Sequence, residues 1–236
     1  MKSTIFSLLI LLFFSTPALA APDLDILLES VVKVSFKGHS ATGFLISHDG
    51  YILTCGHVFN DYETDEDVSR ISVRLFSPEQ IAYNVPLVGL KKSKEKGGAL
   101  NTVELREVYS EYALLKVPAS QVYNREPLRF AQPPERGDPI YFCAVGANSA
   151  PRLTKRLVVA ANPTFFLFSP TVLPGDSGSP VLDPNGRVIG IVLIQHTMSW
   201  GGATQLPHVK SLLPPAYSSI LDDPPAHSTS NPAAHN

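Results

Sequence analysis

Charge is scarce in this 236-residue chain. Asp, Glu, Lys and Arg together make up 17%, and the formal net charge is −2. Without an excess of Lys and Arg there is no basic face for phosphates, so the composition gives no case for a nucleic-acid partner. Long amphipathic helical patterns are missing except near the ends, around 25–30 and 209–213, so a helical fold is not expected. No apolar run is long enough to span a bilayer comfortably. The one at Leu8 to Phe14 follows Lys2 and precedes Ala18-Leu19-Ala20, the order of charge, apolar core and small-residue cleavage site found in a secretory signal. Residues 1–20 are therefore expected to be removed on export to the periplasm or medium, with no stable membrane anchor left behind. No cysteine follows the cleavage site to carry a lipid. Only two cysteines occur, Cys55 and Cys143. An oxidising compartment permits a bridge between them, yet both lie in apolar strands where a free thiol is an ordinary small hydrophobe, and the sequence leaves the two readings open.

Apolar material is plentiful, at 44%, and 21 prolines and 15 glycines punctuate it. Val/Ile/Phe-rich runs between such breaks read as many short strands. One group of candidates covers 31–36, 43–46, 51–54, 71–76, 85–90 and 113–117. A second covers 139–145, 157–161, 165–168, 180–182, 188–194 and 203–206. A proline- and charge-rich stretch, 118–137, separates them. The expected fold is all-β: two six-stranded antiparallel barrels, at about 30–117 and 138–215, within one unit spanning 21–221, with a site in the cleft between them. The tail, 222–236, is rich in Pro, Ala, Ser, His and Asn, with almost nothing to bury, and is expected to be disordered.

Gly175-Asp176-Ser177-Gly178-Ser179-Pro180 is the most informative stretch. Glycines on both sides of Ser177 read as a tight turn that leaves the hydroxyl open, with the N–H groups of Gly175 and Ser177 free to converge on one space. An exposed oxygen beside preorganised donors is what an acyl-transfer nucleophile needs. Far upstream, the strand Ile52-Leu53-Thr54 ends in Cys55-Gly56-His57, which stands an imidazole just off a strand end. Alone, the first signal is a glycine-rich turn and the second a core histidine. Together, and in this order, they point to a nucleophile and its base. His39, His48, His196, His208, His227 and His235 have no comparable context.

These residues resemble the chymotrypsin-fold, or trypsin-like, serine proteases, and more closely their bacterial Deg/HtrA-type and glutamyl-endopeptidase-like branches. Thr42-Gly43-Phe44-Leu45-Ile46 followed by Gly50-Tyr51-Ile52-Leu53-Thr54 is similar to the family's opening strands. Glu111-Tyr112-Ala113-Leu114-Leu115 is similar to its Asp-x-Ala-Leu-Leu strand, and Gly186-Arg187-Val188-Ile189-Gly190-Ile191 to the strand after the serine turn. The resemblance spans roughly 30–215, and the PDZ modules of many Deg/HtrA-type enzymes are not expected. It implies a serine endopeptidase acting on proteins or peptides without a cofactor or metal. Ser177 would be the nucleophile, His57 the base, and Gly175 and Ser177 the oxyanion donors. Glu111 stands where the family has aspartate, and a carboxylate one methylene longer can still orient the imidazole.

The substrate pocket implied by the resemblance is lined by Thr171, Val172, Leu193, Ile194 and Gln195, with Ala203 and Thr204 behind. It shows no acid to select Lys or Arg, so small or medium apolar side chains are expected. Between Ala21 and Ser30 there is no Lys or Arg to mark an activating cleavage, so Asp176 is expected to pair with a basic side chain such as Arg152, or to cap local N–H groups. The acidic run 61–67 lacks the glycine spacing of a calcium loop and reads as a solvated surface loop. The polar insertion 91–98 reads the same way. A second function stays in view: a catalytically weak protease-fold module that binds peptides or proteins. The oligomeric state is not fixed by the sequence.

Overall fold

A computed structural model describes residues 21–76, 79–92, 107–145, 150–195 and 199–222, apart from the side chains of Gln80, Tyr83, Ile194 and Gln195. The expected signal segment, most of the polar insertion and nearly all of the tail lie outside the described residues.

Thirteen strands build the described chain. The first seven are β1 (Val31–Phe36), β2 (His39–Leu45), β3 (Tyr51–Thr54), β4 (Ile71–Phe76), β5 (Glu79–Tyr83), β6 (Leu87–Lys91) and β7 (Tyr112–Lys116). They form one curled sheet in the order β5-β4-β1-β2-β3-β7-β6. The other six are β8 (Pro139–Ala144), β9 (Arg152–Ala161), β10 (Phe165–Ser169), β11 (Pro180–Leu182), β12 (Val188–Gln195) and β13 (Gly201–Gln205). They close into a barrel in the order β10-β13-β12-β11-β8-β9.

The all-β fold and the closed second barrel match expectation. The first half, expected as a six-stranded barrel, is a curled half-barrel sheet of seven strands, of which β5 was not foreseen. Its sequence, Glu79-Gln80-Ile81-Ala82-Tyr83, is short and half polar. It forms by pairing along β4, Ser72 with Tyr83 through Phe76 with Glu79. An edge strand has only one neighbour to satisfy and tolerates such composition.

Alternation decides which face each strand buries. In β4, Ile71, Val73 and Leu75 are buried, while Arg74 between them is exposed. Each such side chain contributes about 1.5–3 kcal/mol on leaving water. β2 and β3, central in the sheet, carry nearly unbroken apolar and small residues because both faces are covered.

Register then places the site. β3 pairs antiparallel with β7, Thr54 opposite Ala113. The chain leaving β3 at Thr54 and the chain entering β7 at Tyr112 therefore lie at the same end of the sheet. The 3₁₀ turn His57–Phe59 and Glu111 both sit at that end.

The connection between the halves is not a free linker. Leu128 N–H donates to Leu45 C=O at 3.1 Å, and Val188 and Ala131 exchange backbone bonds with Arg129 and Val188 at 2.7 and 2.9 Å. Arg125, almost fully buried, donates to Glu29 C=O at 2.7 Å. A charged residue in this stretch thus braces the N-terminal segment.

Candidate active site

His57 and Glu111 meet. Nδ1 of His57 lies 2.6 Å from Oε1 of Glu111, and the carboxylate side chain is only 1% exposed against 30% for the ring. Gly56 makes this approach possible: a Cβ there would come within 2.3 Å of Lys91 C=O and 3.2 Å of Glu111 Cβ. With Glu111 accepting from Nδ1–H, the neutral ring keeps its acceptor lone pair on Nε2.

Nε2 faces a sulfur. Cys55 Sγ stands 3.6 Å from it, and both cysteines are free and buried. The bridge considered from sequence is absent here. The two thiols differ in surroundings: Cys143 is pushed up to about 12 by burial alone, whereas Cys55 adjoins an imidazole. Burial works against a charged His57, but the Cys55 sulfur and the Glu111 carboxylate outweigh it and hold the ring above its ordinary value of 6.5.

Ser177 sits on the tight turn expected. Gly175 and Gly178 have φ of +88° and +80°, a region glycine enters without strain. A Cβ on Gly178 would lie 2.0 Å from Thr42 C=O and 2.3 Å from Thr54 Oγ1, so the turn docks against β2 and β3 only because no side chain intervenes. Ser177 Oγ donates to Leu193 C=O at 3.0 Å. Among the described residues no backbone bond from Gly175 or Ser177 N–H is formed.

Thr42 is the residue that sequence reasoning used only as a strand marker. Its N–H donates to Ser177 C=O at 2.9 Å, and its Oγ1 donates to Gly175 C=O at 3.0 Å. The same Oγ1 accepts from Val145 N–H at 3.1 Å, and Thr42 C=O accepts from Thr54 Oγ1 at 2.6 Å. One threonine thereby fastens the serine turn, the first sheet and the barrel. Nothing in its local sequence signals this, because every partner is distant in the chain.

Tyr109 was likewise unforeseen. It is buried and stacks on Phe165 with ring centroids 4.3 Å apart. It lies against Gly202, where a Cβ would fall 1.8 Å from the phenolic oxygen. Tyr109 C=O accepts from Thr204 Oγ1 at 2.6 Å, and Ser110 Oγ lies 2.8 Å from His208 Nε2. The segment that delivers Glu111 is therefore pinned to the barrel before it enters the first sheet.

Asp176 is buried and pairs with Arg152, as expected, while its second oxygen accepts from Leu173 N–H at 2.8 Å. Burial raises its pKa despite these partners. The acidic run departs from expectation at Asp67. That side chain is buried, accepts from Glu63 N–H at 2.9 Å and pairs with Lys37 at 2.9 Å. The Glu63 N–H and Lys37 hold it down at about 2. It staples the loop instead of facing solvent.

The pocket residues are dispersed in role. Val172 packs into the barrel core beside Phe168 and Ala203. Leu193 is buried and offers its carbonyl to Ser177. Thr204 is buried against Tyr109, and Thr171 Oγ1 donates to Trp200 C=O at 3.2 Å. The side chains of Ile194 and Gln195 lie outside the description.

Comparison with known proteins agrees with this layout. The trypsin-like peptidase domain family matches residues 41–191. A probable periplasmic DegP-like serine endoprotease of Pseudomonas putida is 29% identical over 153 residues, 64% of this chain and 28% of that protein. The chain thus spans little more than a quarter of that curated relative. Among solved structures, the serine endoprotease of Yersinia pestis is similar at TM-score 0.62 and 20% identity, covering 86% of this chain and 68% of that one. The active form of the Rv3671c protease of M. tuberculosis is similar at TM-score 0.62 and 19% identity, covering 88% and 91%. These structural likenesses speak to the fold. No helix among the described residues is long and apolar enough to cross a membrane.

Proposed function

We propose, of a chain that belongs to the trypsin-like peptidase family, that it is an exported serine endopeptidase cleaving proteins or peptides by acyl transfer. The observation that carries this is the 2.6 Å His57–Glu111 pair, with the Ser177 turn packed through Gly178 against Thr54 and Cys55, just before His57. In the reaction, Ser177 Oγ gives up its bond to Leu193 C=O and turns toward His57 Nε2. The neutral ring takes the hydroxyl proton as Oγ attacks the scissile carbonyl. Glu111 orients the ring and favours the imidazolium that forms, and the Gly175 and Ser177 N–H groups receive the oxyanion. The imidazolium then protonates the leaving amine, and water repeats the sequence to release the acyl group.

Preference for apolar residues before the cleaved bond rests on the lack of an acid among Thr171, Val172, Leu193, Ile194 and Gln195. Export rests on the charged, apolar and small-residue order of 1–20 and on the likeness to a protein named as periplasmic.

A second reading, a protease-fold module that binds peptides with little turnover, is favoured by one observation. Ser177 Oγ bonds to Leu193 C=O while His57 Nε2 faces Cys55. Cleavage of an unfolded protein substrate by the wild type, with product ends mapped by mass spectrometry, separates the two. Fragments with apolar residues at the new C-termini, absent with Ser177→Ala, support the peptidase. Saturable binding without fragments supports the module.

A further inference from the structure

The Cys55 thiol has no part in that mechanism, yet it is in hydrogen-bonding reach of His57 Nε2. The two atoms are 3.6 Å apart, and Cys55, His57 and Glu111 form one tight cluster of potential metal donors. A tetrahedral zinc ion takes sulfur at about 2.3 Å and imidazole nitrogen at about 2.0–2.1 Å. Two ligands at a tetrahedral angle and those lengths stand about 3.5–3.6 Å apart. The observed spacing of 3.6 Å matches the separation that one tetrahedral ion would need to bridge the two atoms.

The rest of the site fits the same chemistry. Glu111 accepts from Nδ1–H, so in the neutral ring it is the Nε2 lone pair that a metal can take. This is the carboxylate–histidine arrangement that supports zinc ligands elsewhere. Cys55 is buried, while the His57 side chain is 30% exposed, so solvent reaches the imidazole member of the pair. A sulfur and an imidazole select soft or borderline ions such as Zn²⁺ over Ca²⁺ or Mg²⁺.

We propose that Cys55 and His57 form a zinc-binding site, oriented by Glu111, in which a bound Zn²⁺ blocks the enzyme reversibly. On binding, the Cys55 thiol releases its proton to solvent and sulfur donates to the metal, while neutral His57 donates its Nε2 lone pair. That lone pair is then unavailable to Ser177. Inhibition rests on the peptidase reading above; metal binding does not.

The test uses the full chain with its thiols reduced, titrated with Co²⁺ as a spectroscopic stand-in and with Zn²⁺. One Co²⁺ per chain is expected, with a thiolate-to-cobalt charge-transfer band that Zn²⁺ bleaches. The band should vanish in Cys55→Ala and Cys55→Ser and persist in Cys143→Ala. Glu111→Gln should weaken metal affinity by roughly 10- to 100-fold. Zn²⁺ should slow fluorophosphonate labelling at least about tenfold in wild type and Cys143→Ala, and less than about twofold in Cys55→Ala. No band in the wild type overturns the proposal, as does a band undiminished in Cys55 variants that unfold at near-native temperature. A cobalt band in a chain that never labels, with or without metal, retains the metal site and sinks the peptidase reading instead.

Discussion

The two halves of the site are held differently. On the first sheet, His57 and Glu111 are already joined at 2.6 Å, in a corner closed by Gly56 and reached by adjacent strands. On the barrel, Ser177 is fixed through its backbone by Thr42 but spends its hydroxyl on Leu193 C=O. One half arrives assembled, and in the other the serine hydroxyl is bonded to a backbone carbonyl and not to the imidazole. A backbone-level anchor sets where a nucleophile sits, whereas which partner its oxygen bonds is a choice between two hydrogen bonds of similar strength, each worth about 0.5–1.5 kcal/mol net.

The largest effect should come from removing the reacting groups. Ser177→Ala and His57→Ala are each expected to lower kcat by roughly 10⁶-fold, with little change in far-ultraviolet circular dichroism. Glu111→Gln tests whether the assembled half owes its function to the carboxylate. Turnover should fall by about 10²- to 10⁴-fold with KM nearly unchanged. An equal loss in Glu107→Gln would show that the acid acts by general charge and not by holding His57.

Gly178→Ala tests the docked half. Its Cβ meets Thr42 C=O at 2.0 Å at a φ of +80°, so chemical denaturation should register a loss of about 2–4 kcal/mol. Arg152→Met leaves Asp176 buried without its guanidinium partner. Because Arg152 is partly exposed, the expected loss is about 2–3 kcal/mol, below the range for a wholly buried pair. It should be smaller at low pH, where Asp176 is protonated.

The smallest effect is a displaced pH profile. His57 acts as a base only when neutral, and its neighbours raise its pKa above 6.5. The acid limb of kcat/KM should therefore lie above 6.5, and Cys55→Ala should move it down. The sign for stability follows: a raised pKa contributes stability below 6.5 that is lost as pH rises through the folded value. A limb that stays in place in Cys55→Ala would mean that the sulfur contributes nothing to the ring's charge.

Much of this was legible in the sequence, for reasons that are local. Ser177 and His57 announce themselves because a glycine-flanked turn and a strand-end histidine are short-range patterns. Glu111 was reached through the resemblance of Glu111-Tyr112-Ala113-Leu114-Leu115 to the family's Asp-x-Ala-Leu-Leu strand, and the β3–β7 register sets it at the same sheet end as His57. Asp176 with Arg152 was legible as a charge in need of a partner. Thr42, Tyr109 and Asp67 were not. Thr42 ties Gly175, Ser177 and Val145, Tyr109 slots against Gly202, and Asp67 takes Lys37. Each depends on pairings across the fold that no window of sequence contains. The edge strand β5 was missed because its pairing with β4, and not its own pattern, creates it.

The most direct measurement is the mass-spectrometric map of a fluorophosphonate adduct, taken as a rate in wild type, Glu111→Gln and Glu107→Gln. A single adduct on Ser177 is expected, formed much more slowly in Glu111→Gln and at the wild-type rate in Glu107→Gln. A folded wild type that gains no adduct, or an adduct on any other serine, would contradict that expectation.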